Sequence, residues 1–371
     1  MMKRLVVKIG SSTLVTPEGR IDRARLDDLA DQVARVRAAG WQVVIVSSGA
    51  IAFGVERLGL DKRPTDVPGL QAAASVGQPA FAAAYEEAFS RHGIITSLVL
   101  LTRRDTADRK AYLHARDALD RLLEFDVVPV VNENDTVSVE QIRFGDNDTL
   151  SALAACLVNA DLDVIMSDVD GLYDANPAQN PNARLIERVE KIDERILSVA
   201  GGAGSSVGSG GMVTKIRAAR ILGAAGIPLV VCNGKRPDAV VDAAAGKSVG
   251  TLFASAHREH EVTPRKLWIA LGDAAHGTIC VDDGARKALV ERGSSLLAVG
   301  IACVEGDFAA DDIVDIRDTV NHLFARGRVA FSSDEIELAC GRTKQELAAN
   351  RLLAVMAERP VVHRDDLIVF E

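Results

Sequence analysis

Six short apolar runs recur through the first 253 residues: RLVVKI (4–9), QVVIVS (42–47), TSLVLL (96–101), VVPVV (127–131), DVIMS (163–167) and PLVVC (228–232). They are rich in β-branched residues and nearly continuous in apolar character, which suits strands covered on both faces of a sheet. Longer patterns of helical period separate them, over 22–38, 70–90, 115–124, 148–158 and 212–225. The alternation predicts an α/β fold, a three-layer αβα sandwich around a largely parallel sheet. From about residue 267 the rhythm changes. TICVD, LLAVGIACVE, DIVDIRD and RVAFS read as short strands, with one early helix in ARKALVERG, so a small β-rich second domain is expected. The charged stretch ASAHREHEVTPRK (254–266) contains a proline and reads as a linker. The expected organisation is a first domain over 1–256, a linker over 257–270 and a second domain over 271–371.

Composition narrows the function. A net charge of −9 argues against a generic partner of nucleic acid or of an anionic membrane. No apolar run approaches the roughly 18 residues of a membrane span, and the apolar part of MMKRLVVKIGSS is too short for a signal peptide. Cys156, Cys232, Cys280, Cys303 and Cys340 are scattered and never spaced C-x-x-C. They are expected to be buried thiols in a reducing cytosol, neither a disulfide framework nor a zinc site.

One loop invites a phosphate. GGAGSSVGSGGMVTK (201–215) carries six glycines and ends in Lys215. It fits neither the P-loop, because Lys215 follows Thr214 and precedes Ile216, nor the G-x-G-x-x-G dinucleotide turn. A Gly/Ser linker is the plainer alternative. The helical pattern that follows at once, however, puts the glycines at a helix N-terminus, where backbone N–H groups and the dipole favour an anion.

In open parallel sheets, ligands bind beyond the carboxyl ends of the strands. Several predicted strands end there in polar residues or glycine: Lys8 and Gly10; Ser47, Ser48 and Gly49; Asn132, Glu133, Asn134 and Asp135; Ser167 and Asp168. Ordinary turn chemistry accounts for any one of these, but less easily for all. GDNDTLSALAACL is the sharpest case. Asp146, Asn147 and Asp148 precede a buried helix, and two close carboxylates need cations such as Lys8 and Lys215 nearby. No nucleophile elbow is present in SSGAIAFG, and His257 and His260 lack companion ligands.

VVKIGSS, IVSSGAIAFG, LLTRRD, PVVNENDTV, GDNDTLSALAA, SDVDGLYDANP and GSGGMVTK resemble, in order and spacing, the glutamate 5-kinase family of the amino-acid kinase fold. TICVDDGARKALVERGSSLLAVGI and HRDD resemble that family's C-terminal PUA-type domain, so the likeness spans nearly the whole chain. Ser167-Asp168 is a small departure where members often have Thr-Asp, and it keeps the hydroxyl.

The resemblance implies transfer of the ATP γ-phosphoryl group to the side-chain carboxylate of L-glutamate, the first step of L-proline synthesis. It implies Lys8 and Lys215 as the catalytic lysines and Asp148 as the carboxylate organising them. Ser48, Gly49, Asp135 and Asn147 match glutamate-binding positions. Lys8, Gly10, Ser167, Asp168, Ser209, Gly210, Gly211, Met212, Val213, Thr214 and Lys215 match ATP-binding positions. Mg2+ is expected with ATP, without an assigned protein ligand. Proline is expected as an inhibitor, with TRRDTADRK (102–110) as a rim for it, and a cytoplasmic homo-oligomer is expected. A kinase of N-acetylglutamate or aspartate is the nearest alternative, and the acidic Asp135 favours a free α-ammonium. An RNA-binding role is a further alternative, because PUA-type domains often bind RNA. Against it, residues 276–371 hold 11 lysines and arginines and 17 aspartates and glutamates.

Overall fold

The computed structural model describes residues 2–16, 20–102, 109–137, 147–177, 179–200, 211–255, 266, 269 and 275–370. The chain forms two compact units, Met1–Arg258 and Glu259–Glu371.

The first unit is built on eight strands: β1 (Lys3–Ile9), β2 (Trp41–Ser47), β3 (Thr96–Leu101), β4 (Val128–Glu133), β5 (Leu162–Ser167), β6 (Arg188–Val189), β7 (Leu229–Asn233) and β8 (Gly250–Phe253). Their order in the sheet is β3-β4-β2-β1-β5-β7-β8-β6. The six apolar runs of the sequence are β1 to β5 and β7, and these pair with one another in parallel. Strand β8 turns antiparallel to β7, and β6 joins the edge beside it. Neither was expected, being too short to give an apolar pattern.

Alternate residues of the parallel strands face two helical layers. Leu5, Val7 and Ile9 of β1, with Val43, Ile45, Val164 and Met166, pack under helices Arg23–Ala38 and Val67–Ser90. Helices Arg109–Glu124, Asn147–Leu157 and Met212–Ala224 cover the opposite face, which receives Val6 and Lys8 of β1. All eleven residues of Asn147–Leu157 are buried, so this helix lies inside the unit with its first turn at the carboxyl edge of the sheet. Among the described residues, no helix is long and apolar enough to cross a membrane.

Helix Ala50–Leu58, also unexpected, is held very close to Val67–Ser90 by two glycines. A Cβ on Gly54 would stand 1.7 Å from the Ala73 carbonyl oxygen, and one on Gly77 would stand 1.8 Å from that of Ala50. Only hydrogen fits at either place. The crossing sets where Gly49 and Ala50 begin the shorter helix.

The second unit carries a five-stranded sheet, β10-β9-β11-β12-β13. Its strands are β9 (Gly277–Val281), β10 (Ile301–Glu305), β11 (Ile313–Arg317), β12 (Leu323–Arg328) and β13 (Leu367–Val369). Ile279, Val281, Val314, Ile316 and Phe324 form its separate core with Leu289 and Leu347. The early helix is Asp283–Arg292, but three more short helices follow at Ser333–Ala339, Lys344–Ala349 and Ala354–Glu358. This unit is therefore less purely β than expected. RVAFS also proves to be mostly the exit from β12, whose span starts five residues earlier at Leu323.

Candidate active site

The carboxyl ends of β1, β2, β4 and β5 lie side by side by strand register, with Ile9 opposite Ser47 on one flank and Met166 on the other. This edge gathers most of the residues singled out from sequence.

At its centre is Asp148, fully buried in the first turn of helix Asn147–Leu157. Lys8 Nζ lies 2.7 Å from Asp148 Oδ1, and Lys215 Nζ lies 3.2 Å from Oδ2. Thr214 Oγ1 donates to the same Oδ2 at 2.6 Å and stands 2.7 Å from the Gly211 carbonyl oxygen. Burial alone would raise the Asp148 carboxyl. The charges of Lys8 and then Lys215, with hydrogen bonds from Lys8 and Thr214, outweigh it and hold the group at about 2. Both lysines are buried as well, at 7% and 2% exposure. Two cations clasping one carboxylate leave a net positive charge in a water-poor place, which suits an incoming anion.

The glycines strengthen that preference. Gly211 is the N-cap of helix Met212–Ala224 and Gly49 that of helix Ala50–Leu58, and neither cap supplies a side-chain hydrogen bond. Among the described residues no side chain caps the first-turn N–H groups of Met212 and Val213 or those after Gly49, and such groups favour an anion. Gly49 has φ of +125°, a conformation that side chains rarely adopt. At Gly10, a Cβ would fill the space 3.5 Å from Lys8 Nζ.

A second cluster adjoins the first through Asn147. Its Nδ2 donates to Ser48 Oγ at 2.6 Å and to the Ser47 carbonyl oxygen at 3.0 Å. Beneath it, the buried Tyr85 hydroxyl donates to Ser47 Oγ at 2.7 Å. Asp135 lies two residues beyond the end of β4, in the turn that follows it. Burial pushes its carboxyl up to about 6, with Arg63 pulling part of the way back. Behind that turn, Gln78 bridges the Glu133 carbonyl oxygen and the Asn132 amide.

On the other flank, Ser167 Oγ donates to Asp168 Oδ1 at 3.0 Å at the end of β5, next to the Gly10 N–H, which reaches the Met166 carbonyl oxygen. Ser209, Gly210 and Asp146 lie outside the described residues, as does most of the segment 102–110. Each Asp148 oxygen lies against a lysine ammonium group, which commits the carboxylate to the clasp.

Sequence reasoning missed the supports. Asp163, fully buried on β5, accepts from Ser151 Oγ at 2.8 Å and fastens helix Asn147–Leu157 to the sheet. Burial pushes its carboxyl up to about 7 against the lowering effect of the Ser151 bond, with Asp148 raising it further. Its trace in the sequence is an acid inside an otherwise apolar strand, LDVIMS.

Comparisons with known proteins agree with this architecture. The model of the amino acid kinase family matches residues 3–233, and that of the PUA domain matches residues 277–349. Fold and site thus define a phosphotransferase of the amino acid kinase class. The glutamate 5-kinase of Geobacter sulfurreducens is 46% identical over 99% of this chain and 98% of its own. That of Anaeromyxobacter dehalogenans is 46% identical over 100% and 97%, and that of Streptomyces coelicolor 47% over 99% and 96%. The chain belongs to the glutamate 5-kinase family.

Proposed function

We propose that the protein transfers the γ-phosphoryl group of ATP to the side-chain carboxylate of L-glutamate, forming L-glutamyl 5-phosphate for L-proline synthesis. The observation that carries this reading is the clasp of Asp148 by Lys8 and Lys215. A glutamate carboxylate ionises near pH 4.3, so at neutral pH it is already the nucleophile and needs no general base. Phosphoryl transfer then requires alignment and neutralisation of the charge spread over the moving group. Lys8 and Lys215 supply that neutralisation from two sides, and Asp148 keeps both aimed.

In this reading Ser48, Gly49, Asn147 and Asp135 hold glutamate, with the Asp135 carboxylate meeting its α-ammonium. Gly10, Ser167, Asp168 and the turn from Ser209 to Lys215 hold the nucleotide, whose phosphates meet the uncapped N–H groups of the helix at Gly211. Mg2+ would enter on the phosphate oxygens with water completing its shell, and would neutralise phosphate charge there.

The neighbouring reading, an N-acetylglutamate kinase, leaves Asp135 facing an acylated nitrogen without charge. A coupled ADP-release assay across glutamate, N-acetylglutamate, aspartate and UMP tests the choice. Turnover with glutamate far above the others is the expected outcome, and preference for any other acceptor overturns it.

The wider expectations belong to the same proposal: a cytoplasmic homo-oligomer, inhibited by proline competing for the glutamate pocket. Residues 1–256 act as the catalytic domain, and the PUA-type unit serves structure or regulation. The nearest approach to a basic cluster in that unit, ARGR, supports a role without RNA. Its Arg326 pairs with Asp315 at 2.8 Å, and Arg328 pairs with Asp311 at 3.0 Å. Arginines neutralised in this way release few counterions from a nucleic acid. Tight, salt-sensitive retention of tRNA by the full chain would refute that assignment.

A further inference from the structure

We propose that Cys280, Cys303 and Glu305 form a binding site for a thiophilic divalent cation of the zinc class on the solvent side of the five-stranded sheet. The five cysteines are dispersed in sequence, but strand register brings two of them face to face. Cys303 of β10 pairs directly with Cys280 of β9, and Glu305 pairs with Thr278 on the same face, two residues along. One ligand atom from each of Cys280, Cys303 and Glu305 lies within 4.8 Å of the others. Zinc–sulfur bonds of about 2.3 Å at a tetrahedral angle need sulfurs about 3.8 Å apart, a spacing that rotation of half-exposed side chains can reach.

This face is turned away from the core, which takes the alternate residues Ile279, Val281, Val314 and Ile316. Cys280 and Cys303 are half-buried and Glu305 is exposed, so a hydrated ion has access. The charges also balance. Two thiolates and one carboxylate around a dication leave one negative charge, and Arg317 of β11 sits directly beside Cys280 to offset it. Cys340 Sγ donates to the Ile301 carbonyl oxygen at 2.9 Å, so the fourth position falls to water. Soft sulfur ligands select zinc-class ions over Mg2+, which keeps this site distinct from any ion that travels with a nucleotide.

Binding replaces two thiol protons by the metal: two S–H bonds break, two metal–sulfur bonds form, and two protons pass to solvent. The ion would tie β10, the edge strand of the sheet, to β9.

Cadmium titration of the reduced full-length protein, followed by the ultraviolet thiolate-to-metal absorption band, tests the site. One equivalent should bind, with release of about two protons measured by a pH indicator. Binding should survive excess Mg2+. The Glu305→Gln variant, altered only at an exposed position, should keep its fold and its band while affinity falls on the order of tenfold. Cys280→Ser combined with Cys303→Ser should lose the band while the melting curve still shows a folded chain. The proposal is overturned if wild-type protein gives no band, if Mg2+ displaces the ion, if Glu305→Gln binds as tightly as wild type, or if the double variant retains the band. Recovery of the pair as a disulfide that, once reduced, takes up no cadmium also overturns it.

Discussion

Lys8 and Asp148 form a buried ion pair at 2.7 Å that joins the central strand to the first turn of a helix inside the fold. Lys215 completes the clasp from the far side. Reading the sequence as strand ends and loops suggests that these lysines carry little packing. In the structure both are buried, so their removal must affect stability as well as chemistry.

Lys8→Ala and Lys215→Ala should each lower kcat on the order of a hundredfold or more, by removing charge stabilisation of the moving phosphoryl group. Each should also destabilise the fold by on the order of 3 kcal/mol, because Asp148 is left with half its counter-charge. Turnover and thermal melting, measured on the same purified variants, separate the two effects. Near-normal turnover in a folded variant would refute the mechanism.

Asp135 gives a prediction about pH. Its carboxyl lies near 6, so the charged form that would hold the substrate ammonium is present above that value and lost below it. Glutamate KM should therefore rise as pH falls through about 6, while ATP KM stays nearly flat. In Asp135→Asn, glutamate KM should be high throughout and lose this dependence. A pH-dependent step that survives in the variant belongs to another group.

Asp163 makes an opposite contribution to stability. Its folded carboxyl, near 7, lies above that of the unfolded chain, so the folded state holds the proton more tightly. The penalty for ionising it in place grows as pH rises from about 4 to 7 and levels off above that value. Relative to Asp163→Asn, the natural protein should lose about 2–3 kcal/mol between pH 5 and 8. Urea denaturation at several pH values measures this. A difference independent of pH would show that Asp163 does not titrate in that window.

Gly77→Ala tests the helix crossing. The added methyl would meet the Ala50 carbonyl oxygen, a backbone atom that cannot rotate aside, so helix Ala50–Leu58 must move. Overpacking of this kind costs about 1–3 kcal/mol. Because the same helix begins at Gly49, glutamate KM should rise more than ATP KM. An unchanged KM ratio would mean that Gly49 keeps its place when the crossing is forced apart.

The long parallel strands were legible because burial on both faces leaves an unbroken apolar run, as in RLVVKI and DVIMS. The two-residue β6 and four-residue β8 carry no such signal. Helix Ala50–Leu58 was hidden by its length and by Gly54, a poor helix former retained for close packing. Two late helices could have been read. Ser332 with Glu335 and Thr343 with Glu346 are capping boxes, visible as S-x-x-E and T-x-x-E. Of the candidate site, Lys8, Asn147, Asp148 and Lys215 announce themselves as polar residues at strand and helix ends. Tyr85 and Ser151 do not, because a hydroxyl on a buried helix face looks like any other core position until its partner is known. The Cys280–Cys303 pair was invisible for a simpler reason: only the register of β9 against β10 makes them neighbours.

The clasp around Asp148 also has an order in time. During synthesis Lys8 emerges first, within the strand that ends up between β2 and β5. Asp148 comes much later, and Lys215 follows it by another 67 residues. A nascent chain stalled before residue 212 holds a carboxylate with one of its two counter-charges and a pocket that lacks a wall. Such a fragment, still tethered to the ribosome, would neither close over a nucleotide nor spend it. The arrival of one late helix therefore completes the clasp, while β7 and β8 must still follow before the sheet of this unit is whole.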